Sequence, residues 1–380
     1  MARRAVARGS RRRHARRAHE PGAVAVTASE RPILVIGGAG FIGSNVAARF
    51  ARAGHQVRIY DDLSRPGVEH NLAWLRETHG DLIDARIADI RDGAELRDAM
   101  ADVQAVFHFA AQVAVTTSLL DPRADFAINA CGTIEVLEAL RELSNRPPLV
   151  FTSTNKVYGC LPDLPMQIDG DRWHPVDTAL LARGIDERRP LEFRTPYGCS
   201  KGAADQYVLD YAESYGLDAT VVRMSCIYGP RQFGTEDQGW VAHFLIRALE
   251  GAPITIYGDG RQVRDILFVD DLVEAFVQAW RHIRVLRGRA FNMGGGPRNT
   301  ISLIELLDMI GQLRGRRPEV TFEDWRAGDQ RYYVSDTTAF TNATGWRPRV
   351  GPRAGVEALH GWLLEQRQSN PTLTGDSTHV

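Results

Sequence analysis

The sequence predicts an α/β fold: a doubly wound parallel sheet of Rossmann type, with a smaller, interleaved C-terminal α/β cap. Three observations predict it. Short apolar runs alternate with amphipathic stretches as far as Arg223. A glycine-rich turn follows the first apolar run at once. Beyond Pro230 the strict alternation is lost. The chain has 380 residues and 44% hydrophobic content, enough for one large core or two smaller ones. A formal net charge of −1 gives no global reason to expect nucleic acid or a membrane as partner.

Residues 1–30 are read as a disordered basic extension. Ala2 to His19 is rich in arginine, and no acidic residue precedes Glu20. The apolar stretch Ala23-Val24-Ala25-Val26 is too short for a signal core, and a polyanion-binding or targeting arm is the minority reading. No apolar run reaches the roughly 18 residues of a membrane span. Cys131, Cys160, Cys199 and Cys226 are widely spaced and form no Cys-x-x-Cys pair. That pattern suits reduced thiols in a cytoplasmic protein and gives no structural zinc; no metal is expected.

Pro32 to Ile36 is a short apolar run suited to a strand buried on both faces. Gly37-Gly38-Ala39-Gly40-Phe41-Ile42-Gly43 follows, then an amphipathic helix from about Ile42 to Ala53 that stops at Gly54. Gln56 to Tyr60 reads as the second strand and ends at Asp61-Asp62-Leu63. Strand, glycine turn, helix, strand and acid stand in the order a dinucleotide site requires. Gly37 permits the tight turn, Gly40 lets backbone approach a pyrophosphate, and Gly43 lets helix and strand pack closely. The helix start, with Phe41 and Ile42, offers free N–H groups to phosphate. Asp61 or Asp62 can accept from ribose hydroxyls and would repel a 2′-phosphate, so NAD is favoured over NADP.

Ala85 to Ala88 reads as a third strand, with Asp89-Ile90 at its end toward the adenine. Ala105 to Ala110 reads as a fourth. Arg123 to Leu143 is a long helix carrying Asn129, a poor helix former in mid-helix. Leu149 to Thr152 is a fifth strand, ending in Ser153-Thr154-Asn155-Lys156-Val157-Tyr158-Gly159. Cys160 to Thr195 is a long segment of little periodicity, expected to be a flap over a ligand or a subunit contact. Ala219 to Arg223 is the sixth strand, leading to Ser225 and Cys226. The expected domains are a dinucleotide domain over 31–225, with 262–292 returning to it, and a cap over 226–261 and 293–366. Residues 367–380 are expected to be a disordered tail.

The chemistry is carried by Thr195-Pro196-Tyr197-Gly198-Cys199-Ser200-Lys201. Tyr197 and Lys201 lie one helical turn apart if Tyr197 opens a helix. A nearby ammonium favours phenolate and would bring the phenol toward the working pH range. The pair can then take a proton from a sugar hydroxyl while a hydride leaves the same carbon. Thr154, at the end of the fifth strand, is placed near Tyr197 to hold the oxygen that becomes a carbonyl.

These motifs resemble the extended short-chain dehydrogenase/reductase superfamily, and within it the NAD-dependent nucleotide-sugar epimerases and dehydratases. The glycine spacing Gly-x-x-Gly-x-x-Gly and the Thr154, Tyr197, Lys201 set carry the resemblance. It implies NAD as cofactor, a nucleotide-diphosphate sugar as substrate and a homodimer. It implies that Phe109, Ala110, Ala111 and Gln112 run along the cofactor, that Asn129 helps hold the fold around it, and that Ser225 lies beside it. On the substrate side it implies Tyr257 near the base, Arg264 and Arg326 at the diphosphate and Asp329 toward ribose. Cys226, Trp240 and His243 are further substrate candidates. Dehydratases carry Asp-Glu after the threonine, and this chain has Asn155-Lys156, so oxidation and re-reduction are favoured over water loss. Three shorter stretches resemble CDP-paratose 2-epimerases: Ser-Thr-Asn-Lys-Val-Tyr-Gly, Gly184-Ile185-Asp186-Glu187 and Gly234-Thr235-Glu236-Asp237-Gln238-Gly239. They imply inversion at C2. A UDP-hexose 4-epimerase is the alternative, and a non-catalytic NAD-binding regulator a remote one.

Overall fold

The first strand, Ile33–Ile36, consists of four apolar residues, all fully buried. A strand can be apolar on both sides only where both faces of its sheet are covered. In the computed structural model, which describes residues 31–369, Ile33 and Val35 pack into one hydrophobic layer and Leu34 and Ile36 into another. The basic extension 1–30 and the tail 370–380 lie outside the described residues.

In chain order the strands are β1 (Ile33–Ile36), β2 (Val57–Asp61), β3 (Ile83–Ile87), β4 (Ala105–His108), β5 (Leu149–Thr154), β6 (Met166–Asp169), β7 (Arg172–Pro175) and β8 (Ala219–Met224). They continue as β9 (Cys226–Tyr228), β10 (Ile254–Tyr257), β11 (Val263–Phe268), β12 (Ala290–Met293), β13 (Thr300–Ser302), β14 (Val320–Glu323) and β15 (Tyr332–Tyr333). Seven of them form one parallel sheet in the order β12-β8-β5-β4-β1-β2-β3. From β1 the chain steps outward to β3, then returns to β4 and steps the other way. The order reverses between β1 and β4, where a crevice opens beyond the carboxyl ends of the strands.

Helices Phe41–Arg52, Val68–His79 and Val269–Arg281 cover one face. Helices Gly93–Met100, Gly132–Glu142 and Thr195–Ser214 cover the other. A third hydrophobic cluster builds the cap. It joins Trp240–Glu250, Leu303–Arg314 and Pro352–Ser369 over β10 and the end of β11.

Several expectations are corrected. The third strand is Ile83–Ile87, two residues earlier at its start, because Ile83 supplies the buried anchor. The long helix is interrupted by a π-helical turn at Ala127–Cys131. Segment 160–195 is not irregular: β6 and β7 form an antiparallel hairpin around Gly170-Asp171, and Thr178–Arg183 is a helix capped by Asp177. The hairpin docks on the cap. The Trp173 indole N–H donates to Asp259 at 2.8 Å, and Arg172 pairs with Glu305 at 2.5 Å. Of the stretch expected to return to the dinucleotide domain, β11 instead joins the smaller sheet, beside β13, β15 and β9. The return begins at Val269. The last helix runs to Ser369, past the expected end of order at residue 366.

One buried ion pair ties the catalytic helix to the sheet. Arg223 on β8 donates to both carboxylate oxygens of Asp205 at 2.8 Å and to the Tyr158 hydroxyl at 3.1 Å. Their side chains are 5% and 0% exposed, so either charge left alone would be buried without a partner. Asp205→Ala should therefore cost about 3–5 kcal/mol. Replacing both partners with apolar residues of similar volume should cost less than the single change. Urea unfolding of the three variants checks this.

Candidate active site

A cavity of about 620 Å³ opens at the switch point, a volume suited to a small-molecule ligand. The sheet contributes the ends of β2, β5 and β8 and the segments after β1, β3 and β4. The cap contributes the stretch from Cys226 to Val241.

The glycine turn forms one wall. A Cβ on Gly43 would lie 2.1 Å from the Gly37 carbonyl oxygen, so only glycine lets the helix start so near the turn. A Cβ on Gly37 would meet the Ala110 backbone nitrogen at 2.5 Å, and Gly37 has φ +77°. Gly40 is different. Its Cβ would have a single neighbour, at 3.3 Å, because its outer side faces the cavity. This is the cradle a pyrophosphate needs at a helix N-terminus. Asp61 accepts backbone N–H groups from Ala39 and Leu63, each at 2.9 Å, which aims its carboxylate along the cavity rim. Burial raises its pKa above the usual carboxylate value, against those two bonds. The Gln112 and Ser153 side chains face the cavity with buried oxygens that lack a partner. The donor set, the open glycine and the orphaned oxygens fit NAD.

Of the expected cofactor residues, Gly37, Gly40, Phe41, Ile42, Gly43, Asp61, Asp62, Asp89, Ile90, Phe109, Ala110, Ala111, Gln112, Tyr197, Lys201 and Ser225 line the cavity. Leu63 does not; it packs against the core with φ +55°. Asn129 does not either. It is 1% exposed, sits in the π-helical turn and staples three segments. Its amide donates to the Gln112 carbonyl at 3.1 Å, to Asp125 at 3.1 Å and to the Ser200 hydroxyl at 3.0 Å, and its oxygen accepts the Gln112 N–H at 3.0 Å.

Tyr197, Thr154 and Lys201 come together as expected. Pro196 stands in the first turn of Thr195–Ser214, where its missing N–H costs nothing. The Tyr197 backbone N–H is instead satisfied by the Ser118 hydroxyl at 3.2 Å. The electrostatics correct the expectation. Burial pushes the Tyr197 phenol up to about 12; Thr154 opposes by hydrogen bonding, Asp125 adds to the rise, and Arg65 opposes. Burial pushes Lys201 down to about 7, against Asp205 and Asp125. The Lys201 ammonium donates to the Thr152 carbonyl at 2.7 Å and lies 4.4 Å from the Phe151 ring centre. Lys201 is not among the groups that shift the phenol here; its ammonium is engaged by the end of β5.

The substrate side differs more. Thr154, Cys226 and Trp240 line the cavity, and the Trp240 indole N–H points to the Cys226 sulfur at 3.4 Å. His243, Tyr257, Arg264, Arg326 and Asp329 do not line it. Arg326 stacks on Tyr257 at 3.7 Å and is engaged by Glu236 and Asp237 at 3.3 and 3.4 Å. Arg264 pairs with Asp329 at 2.7 Å. Carboxylates from the chain itself hold these two arginines.

Sequence reading missed several wall residues. Arg65 reaches from the loop after β2 and donates to the Gln238 side chain at 2.5 Å, joining the two walls. Gln232 lines the cavity, and no motif marked it. Behind Lys201, fully buried His108 bonds the Thr133 hydroxyl at 3.2 Å. Burial, with Lys201 second, pushes His108 down to about 3. It is neutral in the native state, while the unfolded chain takes up a proton near pH 6.5. Its contribution to stability is therefore present above about pH 6.5 and is lost as pH falls toward about 3. His108→Gln should flatten the dependence of unfolding free energy on pH in that window by up to one proton. Urea titrations at several pH values measure the slope.

Among the described residues, no helix is long and apolar enough to cross a membrane, and no group of three or more His, Cys, Asp or Glu is arranged to hold a metal. The four cysteines are unpaired. Residues 33–294 match the model of the NAD dependent epimerase/dehydratase family. The chain is 40% identical over 342 residues to CDP-paratose 2-epimerase of Salmonella typhi, covering 87% of this chain and 98% of that one. It is 34% identical over 325 residues to UDP-glucose 4-epimerase of Mycolicibacterium smegmatis, covering 85% and 95%. The solved UDP-glucose 4-epimerase of Thermus thermophilus, a complex with NAD, superposes with a TM-score of 0.72 at 31% identity, over 88% of this chain and 99% of that one. The glycine cradle, the buried Tyr197–Lys201 pair and these likenesses lead to one conclusion: the chain is an enzyme of the NAD dependent epimerase/dehydratase family, with NAD as its cofactor.

Proposed function

We propose that the enzyme is a nucleotide-sugar epimerase that oxidises one sugar hydroxyl to a ketone and returns hydride to the opposite face. The observation that carries this is the wall around Thr154. Thr154 and Tyr197 share it, and the next two residues bring no carboxyl group. The Asn155 amide is turned toward Gln330, at 3.4 Å, and Lys156 is a cation. Elimination of water needs an acid and a base beside the ketone, and the two residues after Thr154 supply no carboxyl group for either role.

Gly37 to Gly43 and Asp61 would hold NAD, which when bound would supply the hydride acceptor and, in its oxidised form, a positive charge that favours the phenolate. Tyr197 takes the hydroxyl proton as the C–H hydride departs, and Thr154 donates to the forming carbonyl oxygen. With the cofactor bound, Lys201 would hold its ribose and would help to stabilise negative charge on Tyr197. The keto sugar turns within the cavity, and Tyr197 gives the proton back as hydride returns. Atoms balance without a further reactant.

Two positions of inversion have support. Inversion at C4 of a UDP-hexose is backed by the similarity to two UDP-glucose 4-epimerases, one of them a solved structure. Inversion at C2 of a CDP-hexose is backed by the 40% identity to the Salmonella typhi enzyme. Similar proteins of known structure back the C4 reading more broadly. Incubation with CDP-, GDP- and UDP-hexoses, with NMR to locate the inverted carbon, decides between them. An inverted hexose is expected; a dehydrated 4-keto-6-deoxy sugar would overturn the epimerase reading. In deuterated water, deuterium at C2 would show oxidation at C3 with proton exchange instead of direct hydride return. Tyr197→Phe should lower kcat by about 100-fold or more with NAD content unchanged.

A homodimer is part of the proposal. Leu119, Leu120, Phe126 and Tyr207 expose apolar side chains on helices that pack together. Light scattering at the mass of a single 42.2 kDa chain would remove it. A cytoplasmic location is likewise proposed, supported by the four free cysteines.

A further inference from the structure

The proposed chemistry leaves Lys156 without a task, although it lines the same cavity two residues after Thr154. Its backbone N–H donates to the Thr154 hydroxyl at 3.2 Å, so the two residues are fixed relative to each other. Its side chain is only 23% exposed. The ammonium donates to the Gly328 carbonyl at 3.1 Å and lies 3.6 Å from an Asp329 carboxylate oxygen. That same oxygen accepts from Arg264 at 2.7 Å. One carboxylate is thus shared by two cations, and the cluster carries an unmatched positive charge. Withdrawing such a charge from water is costly unless something else satisfies it. An ammonium also has three donors, and a hydrogen bond to the Gly328 carbonyl takes one of them.

We propose that Lys156 is a substrate-binding residue, its ammonium donating to an oxygen of the bound sugar, with Asp329 and Arg264 as the positioning pair behind it. This rests on the reading of the cavity as a sugar-nucleotide site. It gives the Asn155-Lys156 pair a positive role. A cation beside the reacting carbon holds a sugar oxygen without removing a proton from carbon, so the sugar keeps its hydroxyls while the ketone exists. It also explains why Arg264 and Asp329 do not face the cavity: they act through Lys156.

The charge of Lys156 is sensitive to pH. Burial pulls its pKa below the ordinary lysine value; Asp329 opposes, Arg264 adds to the fall, and Cys226 and Cys160 oppose. The contact is therefore lost as pH rises, and earlier than for an exposed lysine. Arginine at this position stays charged throughout.

Calorimetric titration of the NAD-containing protein tests this, with CDP, UDP, CDP-glucose and UDP-glucose as probes and Lys156→Met and Lys156→Arg as variants. Lys156→Met should weaken binding of a sugar nucleotide about tenfold or more, as loss of a charge-assisted hydrogen bond requires, and leave the nucleoside diphosphates within about twofold. Lys156→Arg should keep sugar-nucleotide binding and move its alkaline fall to higher pH. The proposal is overturned if Lys156→Met binds every sugar nucleotide like the wild type, or weakens CDP and UDP equally. An alkaline fall at the same pH in wild type and Lys156→Arg also overturns it, and this variant serves if Lys156→Met does not fold. If the wild type binds none of the four probes, the sugar-nucleotide reading fails first and takes this inference with it.

Discussion

Tyr197 and Lys201 sit one turn apart at the head of a helix that withholds both from water. Desolvation penalises the charged form of each, raising the phenol to about 12 and lowering the amine to about 7. Burial thus disfavours phenolate on Tyr197 and ammonium on Lys201. The protein stores no phenolate that could react with the wrong partner. Thr154 and Arg65 already oppose the rise of the phenol, and further positive charge entering the cavity would act in the same direction. The surrounding bonds serve this constraint. Ser118 satisfies the Tyr197 N–H, Thr152 takes the ammonium, and Asn129 clamps the turn after β4 to the helix through Ser200.

The first half of the fold was legible because its signals are local. β1 is buried on both faces and reads as a continuous apolar run. Gly37 and Gly43 meet neighbours within about ten residues in sequence or at the next strand. Asp61 follows from the same βαβ unit. The expected residues that line the cavity sit at or just beyond strand ends or near helix starts, where sequence order dictates position.

The rest was hidden for a different reason. Arg264 and Asp329 are 65 residues apart, and Arg326 meets Glu236 across 90. A motif can mark an arginine, but it cannot say which carboxylate reaches it first. The π-helical turn at Ala127–Cys131 leaves no trace in the apolar period beyond an asparagine where a helix tolerates one poorly. The β6–β7 hairpin has strands of four residues each, and three consecutive residues of β6 are exposed, so no alternation registers in the sequence. Arg65 lies in a loop with no motif, and only the folded chain brings it to Gln238.

β11 sits in the small sheet, yet Val269, the next residue, already opens a helix packed on the large one. At Ser225 the chain crosses in the other direction, between β8 and β9, and the Ser225 hydroxyl is anchored to Asp265 on β11. The two layers are laced by continuous strand rather than joined by a linker. A swing of one against the other would have to bend these crossings together. The Arg65 guanidinium and the Gln238 carboxamide, both lining the cavity, add a side-chain tie between the same two layers.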